Sequence, residues 1–341
     1  MSSMDNISYG HHDVSLYDDP SCASFMSSIT IDYAAISVYF TMGTLALLLN
    51  TVMAWMAVRR GDSSQSVNSV LFVQLAVANV VMALFNLFAG GAWRLTVRFM
   101  GGNGLCKFVK MMEMIGVYAV AWTVAGMSVD GCANAFFPAE NRRQQRIRGG
   151  IIAGLTWVIA IVGAIPQAII FHVMQAPVCR DFYQCITFGS FSTDQQEHYY
   201  TASFAALAFF GPLAAICTCS VLLCISFAET QPHPPTRRVG VWMTFCTAWA
   251  FCLCWTPYFV LHLRHMFDWS WATSEDSTDL TEKLILPAYS IVVVSPAIFL
   301  VSRWIATRST NQTGYFNTSA RNTGHHTAGY AVMEMKPSSS R

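Results

Sequence analysis

The sequence contains few charged residues for its length. Only 11% of its 341 residues are Asp, Glu, Lys or Arg, whereas soluble domains usually contain about 25%. Twenty basic and 19 acidic side chains cannot cover the surface of a soluble chain of this size. The net charge of +1 also provides no basic field for binding nucleic acid. The composition therefore argues against both a soluble protein and a nucleic-acid-binding one.

Patterns typical of metal sites and enzymes are also missing from the sequence. Its 11 cysteines form no Cys-x-x-Cys pair and no Cys/His cluster at the spacing of zinc ligands. The sequence contains no phosphate-binding loop and no evident nucleophile–base pair. We therefore expect a protein that is not an enzyme and that needs no metal or cofactor.

Long apolar runs dominate the rest of the sequence. Hydrophobic types make up 54% of the residues. A helix rising 1.5 Å per residue needs roughly 20 apolar residues to cross a bilayer core of about 30 Å, and only a helix satisfies the backbone of such a run in lipid. The runs lie near residues 33–58, 68–92, 104–136, 150–173, 200–228, 238–266 and 282–306. They predict an all-α integral membrane protein with a seven-helix bundle at residues 33–308.

The distribution of charge predicts the orientation of this bundle. Basic residues follow the first, third and seventh runs and precede the sixth, and Lys and Arg are enriched at the cytoplasmic ends of membrane helices. We therefore expect a multi-pass plasma-membrane protein with residues 1–32 outside the cell and a disordered tail, residues 309–341, in the cytoplasm. Asn6 begins a glycosylation sequon in the outer segment, and a chance match is an equal alternative.

Several short motifs occur in a fixed order along these runs. They are Leu-Ala-Val-Ala-Asn at 75–79, Leu-Cys-Lys at 105–107, Cys-Trp-Thr-Pro-Tyr-Phe at 254–259 and Ser-Pro-Ala-Ile-Phe at 295–299. Together they resemble rhodopsin-like G-protein-coupled receptors, and most closely the gonadotropin-releasing hormone and adipokinetic hormone receptors. The resemblance implies a receptor for a neuropeptide or peptide hormone that acts through a heterotrimeric G protein. It also implies arrestin binding by a phosphorylated tail.

A disulfide bond between Cys106 and Cys185 is a further implication of the resemblance. Cys106 opens the third run and Cys185 lies in the following outer loop, so both face an oxidising compartment in the predicted orientation. The bond would hold that loop over the mouth of the bundle. Cys22 and Cys179 lie on the same side, and the sequence leaves open whether they also pair.

Glu113 is the most informative acidic residue inside the membrane region. It follows Cys106 by seven residues, so it lies on the same helix face about two turns deeper. Intramembrane carboxylates usually face a cavity and serve a function. The charge of Glu113 suggests a cationic group on the ligand; the alternative is a protonated Glu113 that hydrogen-bonds within the bundle.

The other ligand-binding residues are expected to be mainly aromatic, because aromatic rings with polar tips suit an amphipathic peptide. They are Gln167, Trp255, Tyr258, Phe259, His265 and Tyr289.

The inner half departs from the family pattern at two positions. Gly131 stands where the family has the arginine of Asp-Arg-Tyr, and Phe299 stands where it has a tyrosine. Without that arginine, we expect Asp130 to face solvent or to pair with a loop arginine such as Arg142. The activation switches implied by the resemblance are Asn79, Asp130, Gly131, Phe251, Trp255, Pro257, Ser295, Pro296 and Phe299. Because Asn79 and Ser295 are uncharged, the sodium pocket of many relatives lacks its carboxylate here.

Two alternative functions stay open at this stage. The changes at Gly131 and Phe299 favour a receptor that binds peptide without efficient G-protein coupling, as a sink or a dimer partner. Glu113 alone favours a receptor for a small cationic amine. A transporter would be expected to show inverted repeats or paired broken helices, and the sequence shows neither.

A short amphipathic helix is expected after the seventh run. It would contain Trp304 and Ile305 and would lie on the lipid of the inner leaflet.

Overall fold

The structure is a computed structural model that describes residues 22, 31–59, 69–176, 179, 182–229, 235–268 and 275–308. Within these residues, seven helices are long and apolar enough to cross a membrane, which confirms the predicted bundle. The spans are α1 (Tyr33–Arg59), α2 (Ser69–Thr96), α3 (Gly102–Phe136), α4 (Arg142–Ile170), α5 (Asp194–Ile225), α6 (Gly240–Arg264) and α7 (Lys283–Arg308). The helix of α5 continues to Glu229, that of α6 covers Pro235–Phe267, and helix Glu275–Tyr289 leads into α7.

The third span, α3, forms the centre of the bundle because it packs against α2, α4, α5 and α6. Its middle turns are almost entirely buried. Gly116 in these turns lets α2 approach closely, since a Cβ atom there would lie 2.8 Å from the Cα of Met82. Protein interiors pack densely but do not tolerate such an overlap. The core of the molecule therefore follows α3 along its length.

Two of the spans contain a π-helical turn in their outer halves. The turn is Ala83–Phe88 in α2 and Ala206–Phe210 in α5. A π turn inserts an extra residue into the helix and changes the direction of the side chains around it. In α5 the turn precedes Pro212, which has no N–H to donate to the carbonyl of Ala208.

A two-stranded hairpin lies at the outer end of the bundle, in the loop between α4 and α5. Its strands, β1 (His172–Gln175) and β2 (Tyr183–Ile186), are antiparallel. The backbone N–H of Phe99 donates a hydrogen bond to the carbonyl of Tyr183 at 2.8 Å. The hairpin is thereby attached to the connection between α2 and α3, on the side of the molecule that faces out of the cell.

Disulfide bonds hold this loop at two further points. Cys185 in β2 is bonded to Cys106 in the first turns of α3, with 5.6 Å between the Cα atoms. This is the bond that the family resemblance implied. Cys22 and Cys179 also form a disulfide bond, with a Cα separation of 5.0 Å, which answers the question that the sequence left open. The N-terminal segment is therefore tied to the same loop.

The outward faces of the spans are apolar, as lipid requires. On α4, for example, Leu155, Val158 and Ile165 are exposed, whereas Thr156 and Gln167 are buried. Apolar side chains outside and polar side chains inside reverse the arrangement of a soluble helix. This pattern agrees with a bundle surrounded by membrane.

The fourth span begins about two turns earlier than the apolar run predicted. Its first helical residue is Arg142, and Asn141 caps the helix by accepting a hydrogen bond from the N–H of Gln144 at 3.0 Å. The first turns are polar, so a count of apolar residues could not include them. Residues assigned to a loop by the sequence therefore lie on a helix beside α3.

The end of the seventh span also differs from the sequence prediction. Trp304 and Ile305 do not form a separate amphipathic helix; within the described residues they continue α7 as far as Arg308. The guanidinium of Arg308 lies 3.8 Å from the centroid of the Trp304 ring, which is a cation–π contact. An aromatic ring and a cation at this place suit the boundary between lipid and cytoplasm.

Candidate functional site

Most of the aromatic residues predicted to bind a ligand lie together in the outer half of the bundle. Trp255 is buried, with 1% of its surface exposed. Its ring centroid lies 6.0 Å from that of Tyr258, 5.7 Å from Phe259 and 6.2 Å from Tyr289 of α7. Phe251, one turn earlier on α6, lies 6.2 Å from Trp255. We call Trp255, Tyr258, Phe259 and Tyr289 the outer aromatic cluster.

Sequence reasoning missed two members of this environment. Phe204 of α5 lies 5.7 Å from Phe259, and His262 of α6 stacks on Tyr258 at 5.9 Å with an angle of 16° between the rings. His262 follows Tyr258 by four residues, so helical spacing alone would have placed both on one face. The histidine chosen from the sequence was His265, whose side chain lies outside the part of the chain that the structure describes.

Gln167 is hydrogen-bonded to the fifth span. It is buried in α4, and its side-chain amide donates a hydrogen bond to the hydroxyl of Tyr200 in α5. The ring of Tyr200 lies 5.7 Å from that of Phe191. Gln167 therefore joins α4 to α5 near the outer end of the bundle.

The carboxylate of Glu113 has a cationic partner within its own helix. Lys110, one turn earlier on α3, donates a hydrogen bond to Glu113 Oε2 at 2.9 Å. The Lys110 ammonium lies 4.3 Å from the centroid of the Trp93 ring and 5.5 Å from that of Phe171. The sequence left two alternatives for Glu113, and neither considered a lysine of the same helix as the partner.

At the inner end of α3, Asp130 is buried and ion-paired. It is 7% exposed, and Nε of Arg148 in α4 lies 2.5 Å from its Oδ1. The same guanidinium donates to the Asn134 side chain and to the Phe137 carbonyl, each at 3.4 Å. The expectation of a solvent-facing Asp130 was wrong, whereas the expected pairing with an arginine of the following segment is found with Arg148 in place of Arg142 and on a helix in place of a loop. The reason is the early start of α4, which places Arg148 on a helix packed against α3.

The polar switch positions in the middle of the bundle form one uncharged network. The amide of Asn79 donates to Asn50 Oδ1 at 2.8 Å and to Ser295 Oγ at 2.9 Å. Asn50 donates to the carbonyl of Val292 at 2.8 Å. These bonds join α1, α2 and α7, and every side chain in them is neutral.

The other switch positions are placed by the packing of the spans. Phe299 is buried, and its ring lies 4.9 Å from that of Phe72 in α2. Pro257 lies inside α6 and Pro296 inside α7. Among the described residues, no heavy atom outside the neighbouring backbone of α3 lies within 4 Å of the place where Gly131 would carry a Cβ, so the helix has room there for a longer side chain. Asn6, with its sequon, and the tail at 309–341 lie outside the described residues.

Known proteins share this architecture. Residues 49–299 match the family described as 7 transmembrane receptor (rhodopsin family), from the middle of α1 to Phe299 in α7. The chain is similar to the gonadotropin-releasing hormone receptors of Sus scrofa and Homo sapiens, each 26% identical over 241 residues, or 65% of this chain and 73% of the receptor. It is also 26% identical over 255 residues to the gonadotropin-releasing hormone receptor of Octopus vulgaris, covering 67% of this chain and 61% of that receptor.

The family match and the geometry lead to the same classification. The matched residues run through all seven spans, and the family is a class of non-enzymatic receptors. The family match together with the seven spans makes the chain a multi-pass protein of the plasma membrane. The chain therefore belongs to the rhodopsin family of seven-transmembrane receptors.

Proposed function

We propose that this chain is a receptor for an extracellular neuropeptide or peptide hormone and that it activates a heterotrimeric G protein. The observation that carries the proposal is the outer aromatic cluster beneath a disulfide-bonded hairpin. Its rings combine apolar area with polar tips, which suits an amphipathic peptide. Relatives named gonadotropin-releasing hormone receptors support the same class of ligand.

A small cationic amine is a less favoured ligand. That alternative rested on Glu113 alone, and the Glu113 carboxylate is paired with Lys110 at 2.9 Å. A ligand ammonium would have to displace Lys110 and to approach a second positive charge in a region of low dielectric constant. Repulsion between like charges is strongest under those conditions. The charge of Glu113 is therefore better explained by Lys110 than by the ligand.

A peptide screen tests the proposal. Cells that display an epitope-tagged receptor are exposed to gonadotropin-releasing hormone and to a panel of amidated neuropeptides. Bound label and G-protein dissociation are measured on the same cells. We expect at least one peptide to bind saturably and to trigger dissociation. A receptor that responds to monoamines and to none of the peptides would contradict the proposal.

Matched variants on α6 show whether a bound peptide uses the outer aromatic cluster. Tyr258→Leu should weaken binding about tenfold or more, because buried aromatic anchors carry much of the energy of an interface. Trp249→Leu is the control, since Trp249 is exposed on the same helix and faces lipid. The control should keep the affinity of the unmodified receptor, and equal losses in the two variants would place the peptide elsewhere.

A second candidate function is peptide binding with weak coupling. It is favoured by Gly131, which leaves the inner end of α3 without a cationic side chain at the position where the family has arginine. Gly131→Arg should then increase G-protein dissociation at equal surface expression, because a guanidinium can donate several hydrogen bonds to backbone carbonyls. Gly131→Ala is the control for helix propensity, which changes by about 1 kcal/mol without adding charge. An unmodified receptor that already couples strongly, with no gain from arginine, would exclude this second candidate.

A further inference from the structure

The inner end of α4 has an unusual charge for the start of a helix. Its first turn, which begins at Arg142, contains no acidic residue, and the helix opens with the sequence Arg-Arg-Gln-Gln-Arg-Ile-Arg. A helix N-terminus carries a partial positive charge, so acidic side chains are favoured there and arginines are not. Arg148 is balanced by Asp130 of α3. The remaining positive charge would be stabilised by an anion at this end of the helix.

Two of these arginines are exposed and have no carboxylate partner. Arg143 and Arg146 lie at the surface, and neither forms an ion pair with any residue that the structure describes. The acidic residue nearest to them in the sequence is Glu140, which precedes the cap residue Asn141 and so lies beyond the start of the helix. We call Arg143 and Arg146 the arginine pair. Its two guanidinium groups are available to a partner from outside the chain.

The arginine pair lies at the inner end of the face that α4 presents to lipid. That face consists of exposed apolar side chains at helical spacing, Ile147, Ile151, Leu155 and Val158, and we call it the lipid-facing stripe. Arg143 precedes Ile147 by four residues, so it continues the stripe towards the cytoplasm. A molecule that covers both parts must combine an apolar body with an anionic head. Phospholipids of the cytoplasmic leaflet have this combination, and anionic ones are attracted by basic residues at the ends of membrane helices.

The spacing of the arginine pair favours a headgroup with more than one phosphate. A separation of three residues places Arg143 about 4.5 Å farther from the bilayer than Arg146, with about 5–6 Å between their Cβ atoms. Each guanidinium can bind a phosphate through two parallel hydrogen bonds. A phosphoinositide has a phosphodiester near the acyl chains and further phosphates on its ring, farther out. The order of its phosphates therefore matches the order of the two arginines.

A second copy of the chain is a less suitable occupant of this face. Gly150 and Gly154 follow Arg146 by four and eight residues, and among the described residues no heavy atom outside the neighbouring backbone of α4 lies within 4 Å of where either would carry a Cβ. Glycines at this spacing often mark contacts between membrane helices. Two copies have the same orientation in a membrane, however, so a contact here would bring two arginine pairs together. Like charges would repel each other, whereas an acyl chain could lie along the glycines without that penalty.

We propose that the inner end of α4 is a binding site for an anionic phospholipid of the phosphoinositide class. Arg146 binds the phosphodiester, Arg143 binds a phosphate on the ring, and an acyl chain lies along the lipid-facing stripe. The site is separate from the outer aromatic cluster. The inference therefore does not depend on which ligand binds outside the cell or on coupling to a G protein.

The first test measures melting temperatures of the purified receptor in nanodiscs of phosphatidylcholine, with and without phosphatidylinositol bisphosphate. The bisphosphate should raise the melting temperature of the unmodified receptor, because a bound lipid stabilises the folded state by mass action. Arg143→Gln combined with Arg146→Gln should abolish most of this increase. No increase in the unmodified receptor would overturn the proposal.

The matched control removes the same charge from two other helices. Arg59 and Arg308 are exposed at the inner ends of α1 and α7, and Arg59→Gln combined with Arg308→Gln should keep the stabilisation. Equal losses in the two double variants would assign the effect to the basic inner surface as a whole. In phosphatidylcholine alone, loss of the arginine pair should leave the melting temperature unchanged or raise it. A decrease there would show that the pair has a structural role, and either result would overturn the proposal.

The second test identifies the bound species by native mass spectrometry of the receptor. Phosphatidylinositol bisphosphate should bind the unmodified receptor about tenfold or more tightly than the double variant lacking the arginine pair, as expected for loss of charge-assisted hydrogen bonds. Phosphatidylserine and inositol trisphosphate should bind more weakly, because the first has one phosphate and the second has no acyl chain. Equal binding of either compound would overturn the assignment to a phosphoinositide lipid. A receptor dimer that is lost in Gly154→Leu would instead assign this face to a second copy.

Discussion

The ion pair between Lys110 and Glu113 should behave as a single unit. Replacing either partner alone, by Lys110→Met or Glu113→Gln, leaves a partly buried side chain without its ion-pair partner. Breaking such a pair costs about 3 kcal/mol of folding free energy, so each variant should lower the melting temperature of the purified receptor. The double variant should regain most of the loss. Losses that simply add in the double variant would show that the two residues act independently.

The second residue-scale prediction concerns Asp130 and Arg148. Arg148→Ala leaves a buried carboxylate without its cation, and we expect a marked drop in melting temperature. Arg148→Ala combined with Asp130→Asn should be more stable than Arg148→Ala alone, because the unpaired charge is gone. Arg146→Ala is the control, since Arg146 is an exposed residue of the same helix. Equal effects of Arg146→Ala and Arg148→Ala would contradict the importance of the pair.

The partners of both carboxylates were beyond what the sequence could indicate. Lys110 precedes Glu113 by three residues, a spacing that also occurs between solvated charges on any helix surface. Arg148 lies 18 residues from Asp130 and was assigned to a loop, because the first turns of α4 are polar. Each carboxylate could be recognised as unusual from its position in an apolar run. Its partner depends on helix packing, which the sequence does not display.

The outer hairpin provides a prediction at the scale of an element. Cys106→Ser removes the bond that joins β2 to α3 across 79 residues of chain. Loss of a disulfide bond of this kind typically costs about 2–5 kcal/mol, so most of the variant should be retained inside the cell. Flow cytometry of an epitope-tagged receptor measures the surface level. Cys246→Ser, at a free and exposed cysteine, should reach the surface normally, and equal display of both variants would contradict the prediction.

The sequence predicted those elements for which one physical requirement acts on a whole segment. Each span must be apolar over the thickness of the bilayer, and the apolar runs of that length located the seven spans. The π turn of α2 has no comparable signal, because Ala83–Phe88 is as apolar as a regular membrane helix. The start of α4 was misplaced for the opposite reason, since its capped first turns extend beyond the apolar run.

At the scale of the whole molecule, α7 connects the two regions of interest. It carries Tyr289 in the outer aromatic cluster, Ser295 in the uncharged network and Phe299 against α2. A ligand that moves Tyr289 would therefore act on a helix that is hydrogen-bonded to α1 and α2 farther in. The order of the sequence motifs predicted that these positions share one bundle. The hydrogen bonds between them depend on three helices at once and are visible only in the structure.

The uncharged network predicts that sodium does not regulate this receptor. Sodium is a hard cation that prefers anionic oxygen ligands, whereas Asn50, Asn79 and Ser295 supply only neutral groups. The melting temperature of the purified receptor should therefore be the same in sodium chloride and in choline chloride at equal ionic strength. Asn79→Asp is the informative variant, because it places a carboxylate between Asn50 and Ser295 without a change of size. That variant should be stabilised by sodium over choline, since a bound ion stabilises the folded state by mass action. A sodium-specific stabilisation of the unmodified receptor would show that neutral oxygens suffice and would contradict the prediction.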